Sequence, residues 1–261
     1  MLGAIAGDVI GSVYEARPIK HKEFPLFSRG STFTDDTVLT VAAADALLSD
    51  GDYARAYQEY FARHPGRGFG ASFAHWAAAG QTLAYGSYGN GSAMRVSAVA
   101  WAKGTLESVL DEAKRSAAVT HDHPEGIKGA MATAAAIFLA RKGADKGAIR
   151  GYVSEAFGYA LHRELDAIRP GYAFDVSCQG SVPESIICFL ESEAFEDAIR
   201  NAVSLGGDAD TMACISGAIA EAFYGGVPRN IEEEVRARVD GDLLAVVDRF
   251  HRRFEAPKAC E

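Results

Sequence analysis

The sequence predicts an all-α fold in a single domain spanning residues 1–261. Three observations carry this. Ala- and Leu-rich segments of helical length recur from end to end, and many stop at Gly or Gly-Pro punctuation such as Gly225-Gly226-Val227-Pro228. Alternating apolar–polar runs are scarce, the nearest being Tyr172-Ala173-Phe174-Asp175-Val176, and the strand–helix alternation of a parallel sheet is missing. No linker, low-complexity tract or repeat divides the chain. Its 261 residues are long for one domain, yet a helical core of that size buries most of its apolar surface.

The helices are read in order. Residues 38–48 form an Ala/Leu-rich segment that stops at the turn Ser49-Asp50-Gly51. Residues 92–102, 105–120 and 126–142 follow, the last entered through Pro124, a residue suited to a first helical turn. Residues 148–161, 183–191, 195–205, 211–224 and 231–254 complete the set. Between them lie glycine-rich segments beside polar residues: Gly7-Asp8-Val9-Ile10-Gly11, Gly86-Ser87-Tyr88-Gly89-Asn90-Gly91 and Gly206-Gly207-Asp208. Tight turns or close helix packing explain any one of them. Three together, each next to carboxylates or a hydroxyl, point to backbone that approaches a ligand.

Composition narrows the function class. Apolar residues make up 48% and charged residues 23%, as in ordinary globular proteins, and the net charge of −9 does not attract a nucleic-acid backbone. The longest uncharged apolar run, residues 129–139, is too short to span a bilayer. The N-terminus lacks a basic signal-peptide region and meets Asp8 at once. Cys178, Cys188, Cys214 and Cys260 form no C-x-x-C pair and read as free thiols of a reducing, cytoplasmic setting.

The chemistry concentrates in carboxylates. Thr34-Asp35-Asp36-Thr37 precedes one apolar helix, and Asp208-Ala209-Asp210-Thr211 opens another made of small residues. A helix cap needs one such residue; here each cluster carries two carboxylates with hydroxyls. Brought together at the rim of a core, four carboxylates repel unless their pKa values rise or cations neutralise them. Asp and Thr oxygens are the hard donor set of Mg²⁺ and Mn²⁺. Glu15 follows Asp8 by seven residues, so on a helix both would share one face. In Thr120-His121-Asp122-His123-Pro124, the adjacent His-Asp also admits a metal-dependent phosphohydrolase acting on nucleotides, and the H-x-H pair a metal site. No G-x-S-x-G, P-loop or dinucleotide fingerprint is present. The chemistry therefore falls to metal-oriented water.

The ordered set Gly7-Asp8-Val9-Ile10-Gly11, Glu15, Phe33-Thr34-Asp35-Asp36-Thr37, Gly89-Asn90-Gly91-Ser92-Ala93-Met94-Arg95, Thr120-His121 and Gly206 to Thr211 resembles the ADP-ribosylglycohydrolases over nearly the whole chain. The resemblance implies a single-domain orthogonal helical bundle with a centre of two Mg²⁺ or Mn²⁺ ions. It implies metal ligands Thr34, Asp35 and Asp36 on one side and Asp208, Asp210 and Thr211 on the other. It further implies hydrolysis at C1″ of ADP-ribose attached to a modified protein or small molecule. Catalytic roles then fall on Glu15, Asp35 and Asp36. Substrate contacts fall on Gly86, Ser87, Tyr88, Gly89, Asn90, Gly91 and His121, and Tyr88, Tyr172 and Phe174 are candidates to cover the adenine. Segments 18–31 and 64–72 are candidates for the rim that selects the linkage. A non-catalytic ADP-ribose-binding relative is the remaining alternative.

Overall fold

The computed structural model describes residues 1–255. Among them the chain is helical, without a strand: Gly89 and Ser177 form an isolated antiparallel bridge, and segment 172–176 is irregular. The helices are α1 (Leu2–Gly11), α2 (Asp35–Leu48), α3 (Tyr53–Arg63), α4 (Ala71–Ala78), α5 (Gly91–Met94), α6 (Ser97–Ala102), α7 (Leu106–Ala118), α8 (Pro124–Arg141), α9 (Lys146–Phe157), α10 (Leu165–Ile168), α11 (Cys178–Leu190), α12 (Phe195–Ser204), α13 (Ala209–Tyr224), α14 (Arg229–Arg236) and α15 (Gly241–Phe250), followed by a π-helical turn at His251–Glu255. No described helix is long and apolar enough to cross a membrane.

Local chemistry sets the boundaries. Thr105 and Ser108 form a reciprocal cap on α7, Asp145 caps α9, and Ser177 caps α11. Gly158 and Gly225 end α9 and α13 in the left-handed conformation, with φ of 70° and 82°. The expected helix 92–102 is broken between α5 and α6, and 231–254 between α14 and α15. Helix α11 begins at Cys178 with Pro183 inside it, rather than at residue 183.

One buried apolar cluster runs from Met1 to Phe250. At its centre, α1 lies against α13 at backbone distance. A Cβ added at Gly3 would sit 2.4 Å from the carbonyl oxygen of Gly217, one at Gly7 2.0 Å from that of Ala213, and one at Gly11 2.5 Å from that of Ala209. The segment Gly7–Gly11 is therefore helix, not loop; its glycines serve helix packing. Helix α1 stops at Gly11, so Glu15 does not share a helical face with Asp8. Cys178, Cys188 and Cys214 are buried free thiols; Cys260 lies outside the described residues.

Candidate active site

The C-terminal turns of α1 and the first turns of α2 and α13 meet at one end of this core. Asp8, fully buried, is the joint. Its Oδ2 accepts from the backbone N–H of Thr34 (2.9 Å) and Thr37 (3.1 Å), and its Oδ1 from the Thr34 hydroxyl (2.7 Å); the Thr37 hydroxyl also donates to Oδ2. Burial raises the Asp8 pKa and these hydrogen bonds oppose the rise. Asp8 stands in an apolar run, and its spacing says nothing about reaching residues 34–37.

Asp8 presents the Thr34-Asp35-Asp36 turn to the cleft. The Thr34 hydroxyl gives its proton to Asp8 and accepts from the Asp36 N–H (3.3 Å), which leaves one lone pair for another partner. The Asp35 N–H donates to the Arg67 carbonyl (2.7 Å). Arg67 stacks 3.5 Å over the Phe33 ring and donates to the Phe33 carbonyl (3.3 Å), clamping this turn from outside.

The two acidic helix starts meet. The Thr211 hydroxyl donates to Asp36 Oδ2 at 3.2 Å, while Asp36 Oδ1 is buried without a partner. Across the cleft, Glu15, Asp208 and Asp210 bring carboxylate oxygens within 4.8 Å of one another. Asp35 and Asp36 lie outside that tight group but line the same cleft, as do Thr34 and Thr211. Asn90 Nδ2 holds Asp208 at 2.8 Å. Burial, then mutual repulsion, drives the acids upward: Asp35 to about 8, through burial and Asp8, and Asp36 and Asp210 well above the carboxylate range. Glu15 rises through burial, Asp208 and Asp8. An all-oxygen set with an orphaned buried carboxylate oxygen fits a hard divalent cation.

The cleft has a volume of about 360 Å³. Ser87, Gly89, Asn90, Gly91 and His121 line it; Gly86 and Tyr88 do not. The Gly86 N–H donates to Asp122 (2.7 Å), and the Tyr88 ring stands half-exposed against His123. Much of the loop's N–H supply is already engaged within the protein: Gly89 donates to the Ser87 hydroxyl (3.1 Å) and Asn90 to the Val176 carbonyl (2.7 Å). His123 caps α8, accepting from the Glu125 N–H at 3.1 Å, and neither histidine joins the acidic group among the described residues. Of the three aromatic candidates, Phe174 lines the cleft, 55% exposed. Tyr172 is turned away: its hydroxyl donates to the Gly180 carbonyl (2.8 Å), and its ring occupies the space where a Cβ on Gly207 would project.

Of the two rim segments, 64–72 contributes Gly68, Gly70, Ala71 and Ser72, while 18–31 contributes no lining residue. The latter packs against α12, where Arg200 donates to the carbonyls of Lys22 and Phe24 at 2.8 Å each.

The chain matches the model of the ADP-ribosylglycohydrolase family over residues 1–260. It is 28% identical to ADP-ribosylhydrolase ARH3 of Mus musculus, over 98% of this chain and 90% of that protein. It is 27% identical to ADP-ribosylarginine hydrolase Tri1 of Pseudomonas putida (strain GB-1), over 90% and 72% respectively. A solved structure described as an ADP-ribosylglycohydrolase-related protein complex superposes with a TM-score of 0.69 at 25% identity, covering 95% of each chain. The alignment with the mouse protein runs over 337 positions against a chain of 261 residues, so that relative carries inserted segments this chain lacks. Helical and strandless among its described residues, acidic at one end of its core and matched by the family model over residues 1–260, the chain belongs to the ADP-ribosylglycohydrolase family of enzymes.

Proposed function

We propose that the protein hydrolyses the C1″ glycosidic bond joining ADP-ribose to a protein side chain or small molecule, with two Mg²⁺ or Mn²⁺ ions bound between Thr34-Asp35-Asp36 and Asp208/Asp210/Thr211. One observation carries the proposal: two acidic helix starts 175 residues apart in sequence meet through the Thr211–Asp36 hydrogen bond in a cleft that holds an unpartnered buried carboxylate oxygen. When bound, such cations supply positive charge to a vicinal diol and its neighbouring water.

The chain's own residues do the rest. Asp8 and Asn90 hold the acidic groups so that their oxygens converge before any ligand arrives. Glu15, exposed at the cleft mouth with its pKa raised by burial and by Asp208 and Asp8, is suited to exchange a proton there. As the C1″ bond to the leaving nitrogen or oxygen breaks through an oxocarbenium-like state, a water oxygen bonds C1″. Glu15 takes the proton from that water or returns one to the leaving group. Ser87, Asn90 and His121 sit where the distal ribose and diphosphate would lie. Of Tyr88, Tyr172 and Phe174, Phe174 lines the cleft, which favours it to cover the adenine.

The test is a panel of arginine-, serine- and acetyl-linked ADP-ribose, each incubated with Mg²⁺, Mn²⁺ or chelator. Release of ADP-ribose from at least one linkage, abolished by chelator, is expected. Phosphate release from nucleotides without ADP-ribose release would instead favour a phosphohydrolase, and ADP-ribose binding without turnover a non-catalytic relative.

A further inference from the structure

His121 lines the cleft, is 5% exposed, and has its Nε2 near the backbone of Gly89 and Gly91. A Cβ on Gly91 would lie 3.2 Å from that nitrogen, and one on Gly89 3.6 Å. What Nε2 can do depends on where the ring proton sits, and the opposite nitrogen decides that. Nδ1 lies 2.7 Å from the Thr120 hydroxyl, which is fully buried. The same hydroxyl oxygen is 2.7 Å from Arg95 Nη2. A guanidinium only donates, so the Thr120 oxygen accepts from Arg95 and keeps its own proton to give. Among the described residues, Nδ1 is the acceptor placed to take that proton. A proton on Nδ1 would leave the Thr120 hydroxyl hydrogen buried without a partner, which is costly in a site closed to water.

We propose that Arg95 and Thr120 are positioning residues that lock His121 as the neutral imidazole protonated on Nε2, a fixed hydrogen-bond donor aimed at an acceptor oxygen of the bound ligand. This rests on the reading of the cleft as an ADP-ribose site for the ligand, but not for the proton's location. It excludes His121 as a metal ligand or general base, because each role needs a lone pair on Nε2. It also supplies a cleft-facing donor where the loop's own N–H groups at Gly86, Gly89 and Asn90 are already engaged. Arg95 is fully buried, stacked 4.1 Å from the Tyr57 ring, so its Nη2 is held at Thr120 by packing. The positive charge beside His121 acts in the same direction: burial and then Arg95 hold the imidazole's pKa well below its ordinary value.

Histidine ¹⁵N spectra of the ligand-free protein at neutral pH test this directly, with His121→Gln assigning the signal. The expected result is an unprotonated Nδ1 and a protonated Nε2. Thr120→Val should release the tautomer and raise KM for an ADP-ribose conjugate about tenfold, with kcat changed less than about twofold. Thr120→Ser should restore both. A wild-type His121 protonated on Nδ1 overturns the proposal. So does a Thr120→Val protein with unchanged tautomer and KM. Absence of turnover on every linkage would defeat the glycohydrolase reading instead, and the wild-type spectrum would still decide the proton's position without any variant.

Discussion

Asp8 does not line the cleft, yet it takes four hydrogen bonds from Thr34 and Thr37 and so ties their turn to α1. Its carboxylate is acceptor-only, matched to two N–H groups and two hydroxyls. In Asp8→Asn an amide NH₂ would confront donors where an acceptor is needed. That substitution should cost about 1–3 kcal/mol in urea denaturation and lower cation affinity about 10–100-fold by Mn²⁺ titration calorimetry, as loss of a ligand-orienting partner does. Wild-type affinity would mean the turn holds its shape unaided. Asp36 is different in kind, since one of its oxygens is buried and unpartnered. Asp36→Asn should abolish turnover while leaving helical circular dichroism intact. At pH 8 it should also raise the melting temperature of the chelated protein, because it removes an acid whose ionisation burial and then Asp8, Asp35 and Asp208 disfavour. Full activity in this variant would refute the site. The sequence displays Asp36 through its motif, but Asp8 only as a polar residue in an apolar run; its role depends on the tertiary approach of α1 to α2.

That approach is set by the glycines of α1. Gly3, Gly7 and Gly11 recur every four residues, one face of a helix, and the facing positions of α13 are Ala209, Ala213 and Gly217. With no side chain between them, the backbones close up, and Asp210 in the first turn of α13 comes level with the end of α1. Gly7→Ala puts a methyl 2.0 Å from a carbonyl oxygen, which neither helix can yield without moving its backbone. A loss of about 1–3 kcal/mol or more in urea denaturation is expected. In Gly151→Ala, within α9 where a Cβ meets open space, the helix should instead gain about 0.5–1 kcal/mol. Equal effects at the two sites would show that propensity, not contact, governs α1. The spacing that makes Gly7–Gly11 look like a ligand loop is thus a packing stripe. An all-buried helix shows no amphipathic period to reveal it. Helices α2 and α13, which open on acidic caps, were legible because cap and small-residue run coincide in sequence. Helices α3 and α4 were not, since α3, though capped by Asp52, has no run of small residues, and α4 opens on Gly70 without a side-chain cap.

On the scale of the whole molecule, the acidic end sets how stability responds to pH and to cations. Asp8, Asp35, Asp36, Asp208 and Asp210 all have folded pKa values above the unfolded value of 3.8, with Asp35 near 8. The native state of the cation-free protein therefore binds more protons than the unfolded chain between about pH 4 and pH 8. Stability across that window falls as pH rises. Glu112, whose pKa is lowered by Lys103, Tyr53 and Arg115 against the opposing pull of burial, acts the other way. His121, held well below its ordinary value by burial and Arg95, also acts the other way, and these two groups stand against five acids. In chelator the melting temperature should drop from pH 5 to pH 8. Cations bind the deprotonated carboxylates of the folded state alone, so adding Mg²⁺ or Mn²⁺ at about 100 times Kd should restore about 2.7 kcal/mol, or roughly 5–10 °C, and do so more at pH 8 than at pH 5. Differential scanning calorimetry at the two pH values, with and without cation, reads both trends. A chelated protein equally stable at pH 5 and pH 8, with no cation-dependent shift, would mean that the acids at the ends of α2 and α13 do not gather charge in solution, and the proposed centre would lose its physical basis.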